Sequence, residues 1–146
     1  MIRISVQEEA FDTGAELARL EASGGGGIAS FTGVVRGDGG LAELFLEHHP
    51  TMTRAVLADM TERAAVRWSL LAATLIHRVG ALRPGDPIVL VATAARHRRA
   101  ALEACAALID LLKTDAPFWK RERFVDGRTS WVEARGEDEA AAARWG

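Results

Sequence analysis

The most restrictive feature of this sequence is that its β-type segments come in pairs between helical segments. Apolar periodicity predicts, in chain order, a strand, a helix, two strands, a helix, two strands, a helix, two strands and a short terminal helix. Two strands with no helix between them favour an antiparallel hairpin, because a parallel crossover needs a longer connection. The sequence therefore predicts an α+β fold with a mixed or mostly antiparallel sheet and packed helices, and argues against a doubly wound parallel sheet.

The periodicity also predicts where each element lies. The predicted strands are residues 2–6, 28–35, 41–48, 71–79, 87–95, 118–125 and 129–133. The predicted helices are residues 13–22, 50–68 and 97–113, with an Ala-rich helix closing the chain. Residues 37–40 are expected to form the mobile loop of a hairpin between the second and third strands. Four apolar residues of the second helix are expected to face the sheet: Met52, Val56, Met60 and Ala64.

Length and composition are those of one ordinary globular domain. The chain has 146 residues, of which 49% are hydrophobic and 26% charged, and it shows no internal repeat or linker. We therefore expect a single domain over residues 1–146. No apolar stretch approaches the ~20 residues that span a bilayer, and the first residues lack the apolar region of a secretory signal. The expectation is a cytoplasmic protein without membrane contact.

The cysteine and histidine content limits the possible cofactors. Cys105 is the only cysteine, which excludes disulfides, Cys-rich zinc sites and iron–sulfur clusters held by this chain alone. No pair of histidines has metal-ligand spacing, and no Rossmann or Walker sequence is present. We therefore predict neither a metal nor a cofactor. Cys105 lies on the apolar stripe of the third helix and is expected to be inert, so any sulfur chemistry needs an outside sulfur.

The charge distribution predicts an anion site. Residues 96–123 carry seven basic and four acidic side chains, a local charge of +3 in a chain of net charge -2. This suits a small phosphorylated ligand or an acidic peptide better than a long nucleic acid, which needs a broad basic face. Cations beside the N-terminus of a helix are disfavoured by its dipole unless an anion binds there. His97 and Arg98 are therefore candidate ligand contacts; the alternative is solvated arginines and a core His97.

A second candidate site begins at the end of the third helix. Lys113 and Lys120 bracket a turn fixed by Pro117, and Phe118 is predicted to share a strand face with Lys120. A lysine among aromatic side chains loses hydration, which lowers its pKa and makes a neutral amine available as nucleophile or proton acceptor. The two amines could then act on one substrate. Alternatively, Lys113 is simply a cation well placed at a helix C-terminus.

Several segments together resemble the molybdopterin synthase catalytic (large) subunit, or MoaE, family. The two most specific are Phe31-Thr32-Gly33-Val34-Val35-Arg36 and Lys113-Thr114-Asp115-Ala116-Pro117-Phe118-Trp119-Lys120. The others are Leu46-Glu47-His48-His49-Pro50, Ile76-His77-Arg78-Val79-Gly80, Pro84-Gly85-Asp86, His97-Arg98 and Trp131-Val132-Glu133-Ala134-Arg135. The resemblance runs in unbroken order from about residue 28 to residue 145. Residues 1–27 carry little of it.

The resemblance implies an activity and its partners. It implies an α/β hammerhead-like fold and a sulfurtransferase that converts cyclic pyranopterin monophosphate to molybdopterin, the dithiolene ligand of molybdenum. The sulfur would arrive as a thiocarboxylate on the C-terminal glycine of a small ubiquitin-like subunit. A homodimer of this chain with a small subunit at each end, a heterotetramer, is implied as well.

The resemblance also implies residue roles. Its catalytic lysines fall on Lys113 and Lys120, where Lys120 would stabilise an oxyanion or accept an acyl link and Lys113 would move protons. Its substrate-binding residues fall on Arg36, His97, Arg98, Arg121 and Arg135. Arg135 would reach the site from the neighbouring subunit. The sequence departs from the family's usual residues at Ile109, His49 and Asp115.

Two other functions compete with this one. The basic cluster could belong to a non-catalytic module that binds nucleotide, RNA or an acidic peptide, or apolar grooves could seat the tail of a partner in a purely structural domain. The first alternative predicts steeply salt-dependent binding to generic polyanions. Formation of molybdopterin from the pterin phosphate would distinguish an enzyme from the binding module and from the structural domain.

Overall fold

The computed structural model describes residues 1–132 and 143–145. The strands are β1 (Ile2–Gln7), β2 (Gly27–Val34), β3 (Leu41–His48), β4 (Ala72–Arg78), β5 (Gly80–Leu82), β6 (Pro87–Ala95), β7 (Phe118–Phe124) and β8 (Thr129–Val132). The helices are α1 (Thr13–Glu21), α2 (Pro50–Arg67) and α3 (Arg98–Asp115). Most of the predicted terminal helix lies outside the described residues. Within them, no helix has the length and apolar character needed to cross a membrane.

The strands form two four-stranded sheets rather than the one that was expected. The first has the order β1-β4-β6-β2 and the second the order β5-β3-β7-β8. In the described residues only β1 and β4 run parallel, and the other pairs are antiparallel. The predicted hairpins β4–β6 and β7–β8 are present. The α+β prediction with mostly antiparallel pairing is therefore confirmed.

The predicted hairpin between β2 and β3 is wrong. β2 pairs with β6 in the first sheet, whereas β3 pairs with β5 and β7 in the second. Beyond β2, Val35 donates its N–H to the Asp86 carbonyl, and Gly39 and Gly40 adopt positive φ of 66° and 80°. These glycine conformations turn the chain out of the first sheet. A glycine-rich connection signals a turn but does not specify which strand pairs next.

The buried face of α2 also differs from the prediction. Its buried residues are Thr53, Leu57, Met60, Thr61 and Ala64, whereas Met52 is 53% exposed. Thr61 is buried because its hydroxyl donates to the Leu57 carbonyl at 2.7 Å, which satisfies the polar group inside the helix. A hydrophobicity pattern that counts threonine as polar therefore predicts the wrong buried face for this helix. The N-cap of α1 is Asp12, whose carboxylate accepts the Ala15 N–H at 3.0 Å.

The core places α3 on the first sheet and the start of β7 between the two apolar clusters. α3 packs on β2 and β6 through its predicted apolar stripe, of which Leu111 is only partly buried. Burial raises the pKa of the Cys105 thiol to about 11, as expected for an inert core cysteine. One apolar cluster consists of residues of α2, α3 and the first sheet. A second cluster includes residues of the second sheet and consists of Val35, Leu41, Leu44, Leu46, Val79 and Leu82. Phe118 packs against both clusters, so the start of β7 lies where they meet.

Candidate active site

The turn between α3 and β7 sets the relation of the two lysines. Lys113 is exposed in the last turn of α3, and Ala116 ends the helix in an extended conformation with φ -74° and ψ 131°. Pro117 imposes this conformation, because its ring disfavours a helical residue before it. β7 begins directly afterwards at Phe118. Lys113 therefore lies at the helix end and Lys120 on the strand that follows it, as the sequence predicts.

Lys120 lies on the inner face of the second sheet. The β3–β7 register places Lys120 opposite Leu46 and Phe118 opposite His48. Directly opposite residues of an antiparallel pair share a face, and Leu46 is fully buried. Lys120 is half-buried there, and Trp119 points to the other face, as predicted from the alternation of the strand.

A buried histidine that the sequence analysis passed over completes the site. The ring of His77, at the end of β4, stacks on the Phe118 ring with a centroid distance of 3.9 Å and an angle of 18°. Its Nδ1 lies 2.7 Å from the Arg78 carbonyl oxygen. The pKa of His77 is lowered to about 3, chiefly by burial; the charges of Lys120, Lys113 and His48 act in the same direction, and the backbone hydrogen bond to Arg78 opposes them. The charges of both amines thus lower the pKa of the same buried ring.

His48 also lies beside Phe118. The two ring centroids are 6.4 Å apart, and the register places His48 directly opposite Phe118. We call Lys113, Lys120, His77, His48 and Phe118 the lysine corner. Sequence reasoning missed the two histidines because 29 positions separate them and no motif links either of them to the lysines. The one available signal was His77 near the end of a strand of small and apolar residues, which indicates a buried polar role.

The neutral state of His77 predicts an acid-sensitive stability. Because its folded pKa of about 3 is below its unfolded value of 6.5, the unfolded chain binds the proton first. The stabilisation is complete above pH 6.5 and is lost as the pH falls toward 3. Between pH 7 and pH 4.5 we expect the free energy of unfolding to fall by about 2–3 kcal/mol more in the wild type than in His77→Phe.

Urea unfolding of both proteins at the two pH values measures this difference. The carboxylates are common to both proteins, so their contribution cancels in the comparison. Equal losses in the wild type and in His77→Phe would show that His77 titrates normally in the folded chain.

Arg36 lies at the same end of the first sheet as Lys113. It follows the buried Val35 just beyond β2, and the end of β2 pairs with the start of β6, Val34 opposite Pro87. α3 returns along β6 from Ala95, so its C-terminus reaches the same end. The guanidinium of Arg36 is exposed and lies 3.4 Å from the Asp38 carboxylate. An anionic ligand can readily compete with such an exposed ion pair.

His97 and Arg98 lie at the opposite end of α3. Arg98 precedes Lys113 by fifteen positions on one continuous helix, which at about 1.5 Å per residue separates their Cα atoms by roughly 22 Å. Both side chains are exposed, and His97 caps the helix without a side-chain hydrogen bond. The alternative of a core His97 is therefore wrong. A single chain does not bring these two residues to the lysine corner.

Arg121 is not brought to the lysine corner either. Arg121 alternates with Lys120 on β7, and its guanidinium carbon lies 5.0 Å from the centre of the Phe45 ring on the other face of the sheet. That face also carries the exposed Trp119 and Trp131. Arg135 lies outside the residues that the structure describes.

Comparison with known proteins tests the family resemblance. The family model described as MoaE protein matches residues 6–115. The chain belongs to the MoaE family. The "Molybdopterin synthase catalytic subunit" of Ralstonia nicotianae is 52% identical, over 100% of this chain and 85% of that protein. The corresponding protein of Pseudomonas aeruginosa is 48% identical over 97% of both chains. The predicted membership of this family is confirmed.

Solved structures of MoaE proteins share the fold. The MoaE protein of Burkholderia ambifaria is 44% identical, with a TM-score of 0.85 over 99% of this chain and 98% of that one. A Helicobacter pylori structure, described as a complex of subunits 1 and 2 of molybdopterin-converting factor, has a TM-score of 0.76. It covers 92% of this chain and 91% of that one. Because the two sequences are only 20% identical, this similarity shows a shared fold and nothing more.

Proposed function

We propose that this chain is the catalytic subunit of a molybdopterin synthase, which transfers sulfur to cyclic pyranopterin monophosphate and so forms the dithiolene of molybdopterin. The observation that carries the proposal is the lysine corner, where two amines from different elements meet beside a buried, neutral imidazole. Membership of the MoaE family and the names of its relatives support it.

The sulfur donor is the thiocarboxylated C-terminal glycine of a small ubiquitin-like subunit. This chain supplies no sulfur carrier, because Cys105 is its only cysteine and is buried with a raised pKa. A thiocarboxylate and a cyclic phosphate are both anionic, so the cationic lysine corner favours the approach of each. The two-subunit Helicobacter pylori complex is consistent with such a partner.

The chemistry assigns different tasks to the two lysines. Attack of the thiocarboxylate sulfur on a side-chain carbon of the pterin forms a carbon–sulfur bond and breaks a carbon–oxygen bond at that carbon, so that the donor tail is joined to the substrate through a thioester. The displaced oxygen leaves as water or stays on the opened cyclic phosphate. Water or an amine then adds to the acyl carbon, which leaves the sulfur on the pterin and releases the tail as a carboxylate or an amide. The Lys120 ammonium stabilises the oxyanion formed at that carbon, or its amine accepts the acyl group, and Lys113 transfers protons.

The predicted phosphate contacts His97 and Arg98 lie far from the lysine corner of their own chain. Arg36 lies at that end, but Arg98 is roughly 22 Å along α3 from Lys113. We infer that the working site forms between two copies of the chain, with His97 and Arg98 of the second copy facing the lysines of the first. Arg121 faces away from Lys120, so its predicted substrate contact also requires a second copy, and the resemblance implies that Arg135 reaches the site from the neighbouring subunit. With a small subunit at each end, this homodimer becomes a heterotetramer.

The chain acts as one domain, and we place its reaction in the cytoplasm. Val6, Ile88 and Phe118 pack against both main apolar clusters, which joins the two sheets of the described residues into one core. The buried free thiol of Cys105 fits a reducing compartment.

Reconstitution with purified components tests the function. The chain is mixed with the thiocarboxylated small subunit and cyclic pyranopterin monophosphate, and molybdopterin is measured as dithiolene product. Product is expected only when all three components are present; the matched control is the small subunit with an ordinary C-terminal carboxylate. Absence of product, together with salt-sensitive binding to heparin, would favour the non-catalytic anion-binding module.

A further inference from the structure

His77 is a buried polar side chain to which the chemistry above assigns no task. It is 7% exposed and is the next-to-last residue of β4, whose other side chains are mostly small or apolar. The neighbours of His77 in the sheet register are Val6 on β1 and Val89 on β6, which carry no charge. Its polar ring is therefore directed at groups outside this sheet.

The hydrogen bond of one ring nitrogen determines what the other can do. Nδ1 lies 2.7 Å from the Arg78 carbonyl oxygen, which can only accept. The Nδ1 atom therefore carries the proton, and the neutral ring presents a lone pair at Nε2. Among the described residues, the charged or titratable groups that act on this ring are Lys120 of β7, Lys113 of α3 and His48 of β3.

The geometry brings Lys120 within reach of this lone pair. The His77 ring stacks on Phe118 at 3.9 Å, and Lys120 follows on the same face of β7, about 7 Å further along the strand. A lysine side chain is long enough to fold back over that distance. Of the cations around the ring, Lys120 has the largest electrostatic effect on it.

We propose that His77 is a positioning residue, whose Nε2 accepts a hydrogen bond from the Lys120 ammonium and holds it toward the acyl carbon of the donor tail. The inference rests on the proposed function, in which Lys120 stabilises an oxyanion. A neutral imidazole suits this task better than a carboxylate, because it orients the ammonium without cancelling the charge that the oxyanion needs. Burial of the ring keeps it neutral.

Two substitutions separate this role from a merely structural one. His77→Phe keeps an aromatic ring against Phe118 but removes the acceptor, whereas His77→Gln can place an amide oxygen near the position of Nε2. In the reconstituted reaction we expect kcat to fall about 10- to 100-fold in His77→Phe, with KM for the pterin phosphate little changed and part of the loss recovered in His77→Gln. A His77→Phe enzyme more active than His77→Gln would overturn the inference and assign His77 to packing.

A measurement without turnover tests the hydrogen bond itself. Protein labelled with ¹⁵N-histidine is saturated with cyclic pyranopterin monophosphate, with no sulfur donor present. We expect His77 to be protonated at Nδ1 and unprotonated at Nε2. The Nε2 resonance should move toward that of an unbonded ring nitrogen in Lys120→Met, but not in the control Arg123→Ala, whose side chain lies on the other face of β7.

The two measurements fail in different ways. An Nε2 resonance that is unchanged in Lys120→Met would overturn the inference even if the wild type forms molybdopterin. A resonance that moves as expected in a protein that forms no product would support the hydrogen bond and count against the proposed function instead.

Discussion

Replacing Lys120 by alanine is expected to lower the kcat of the reconstituted reaction by about 100- to 1000-fold. The ammonium acts where negative charge develops, in a half-buried position opposite the buried Leu46, so water can replace it only poorly. Its neighbours on this face, Leu46 across the strand pair and Phe118 along β7, are unchanged in the variant. Single-turnover formation of molybdopterin with the thiocarboxylated small subunit measures the effect.

Arg123→Ala is the matched control for Lys120→Ala. Arg123 is a basic residue of the same strand, is exposed, and pairs with Glu43 at 3.4 Å away from the lysine corner. Removal of an exposed ion pair changes stability little, about 0–1 kcal/mol, so the control should keep its kcat. A Lys120→Ala protein with an unchanged urea midpoint and a kcat within a factor of two of the wild type would reject Lys120 as a catalytic residue.

Two inactive variants are expected to restore activity when they are combined. If each site takes its lysines from one chain and Arg98 from the other, a mixed dimer of Lys120→Ala and Arg98→Ala contains one site with both residues intact. Random assortment makes half of the dimers mixed, so about a quarter of the wild-type activity should return. The variants are unfolded together, refolded and assayed with the sulfur donor and the pterin phosphate.

A second mixture controls for nonspecific recovery. Lys120→Ala and Lys113→Ala alter the same side of the site, so each site of their mixed dimer lacks one lysine and activity should stay low. If neither mixture gains activity although mixed dimers are present, Arg98 does not act across the dimer. The composite site proposed from the length of α3 would then be wrong.

The local elements of this protein were predictable because their signals are short in sequence. The stripe of α3, the break at Pro117 and the alternation of β7 lie within one continuous segment, and they place Lys113 and Lys120 correctly at a helix end and on an inner strand face. The same local reasoning failed for the partner of β2 and for the buried face of α2. In both cases a contact between residues distant in sequence determined the result. β2 pairs with β6, and the Thr53 hydroxyl donates to the Pro117 carbonyl.

The sequence by itself determined the α+β elements, the family and the pair of lysines around one turn. Only the tertiary structure decided that His77 and His48 join the lysines and that Arg98 does not. The histidines reach the site because β4 ends beside the start of β6 and because β3 pairs with β7, registers that span tens of residues of chain. Arg98 is kept away from the lysines by the rigidity of α3, because a helix holds residues fifteen positions apart at opposite ends. Strand pairing has the opposite effect and brings residues that are distant in sequence together.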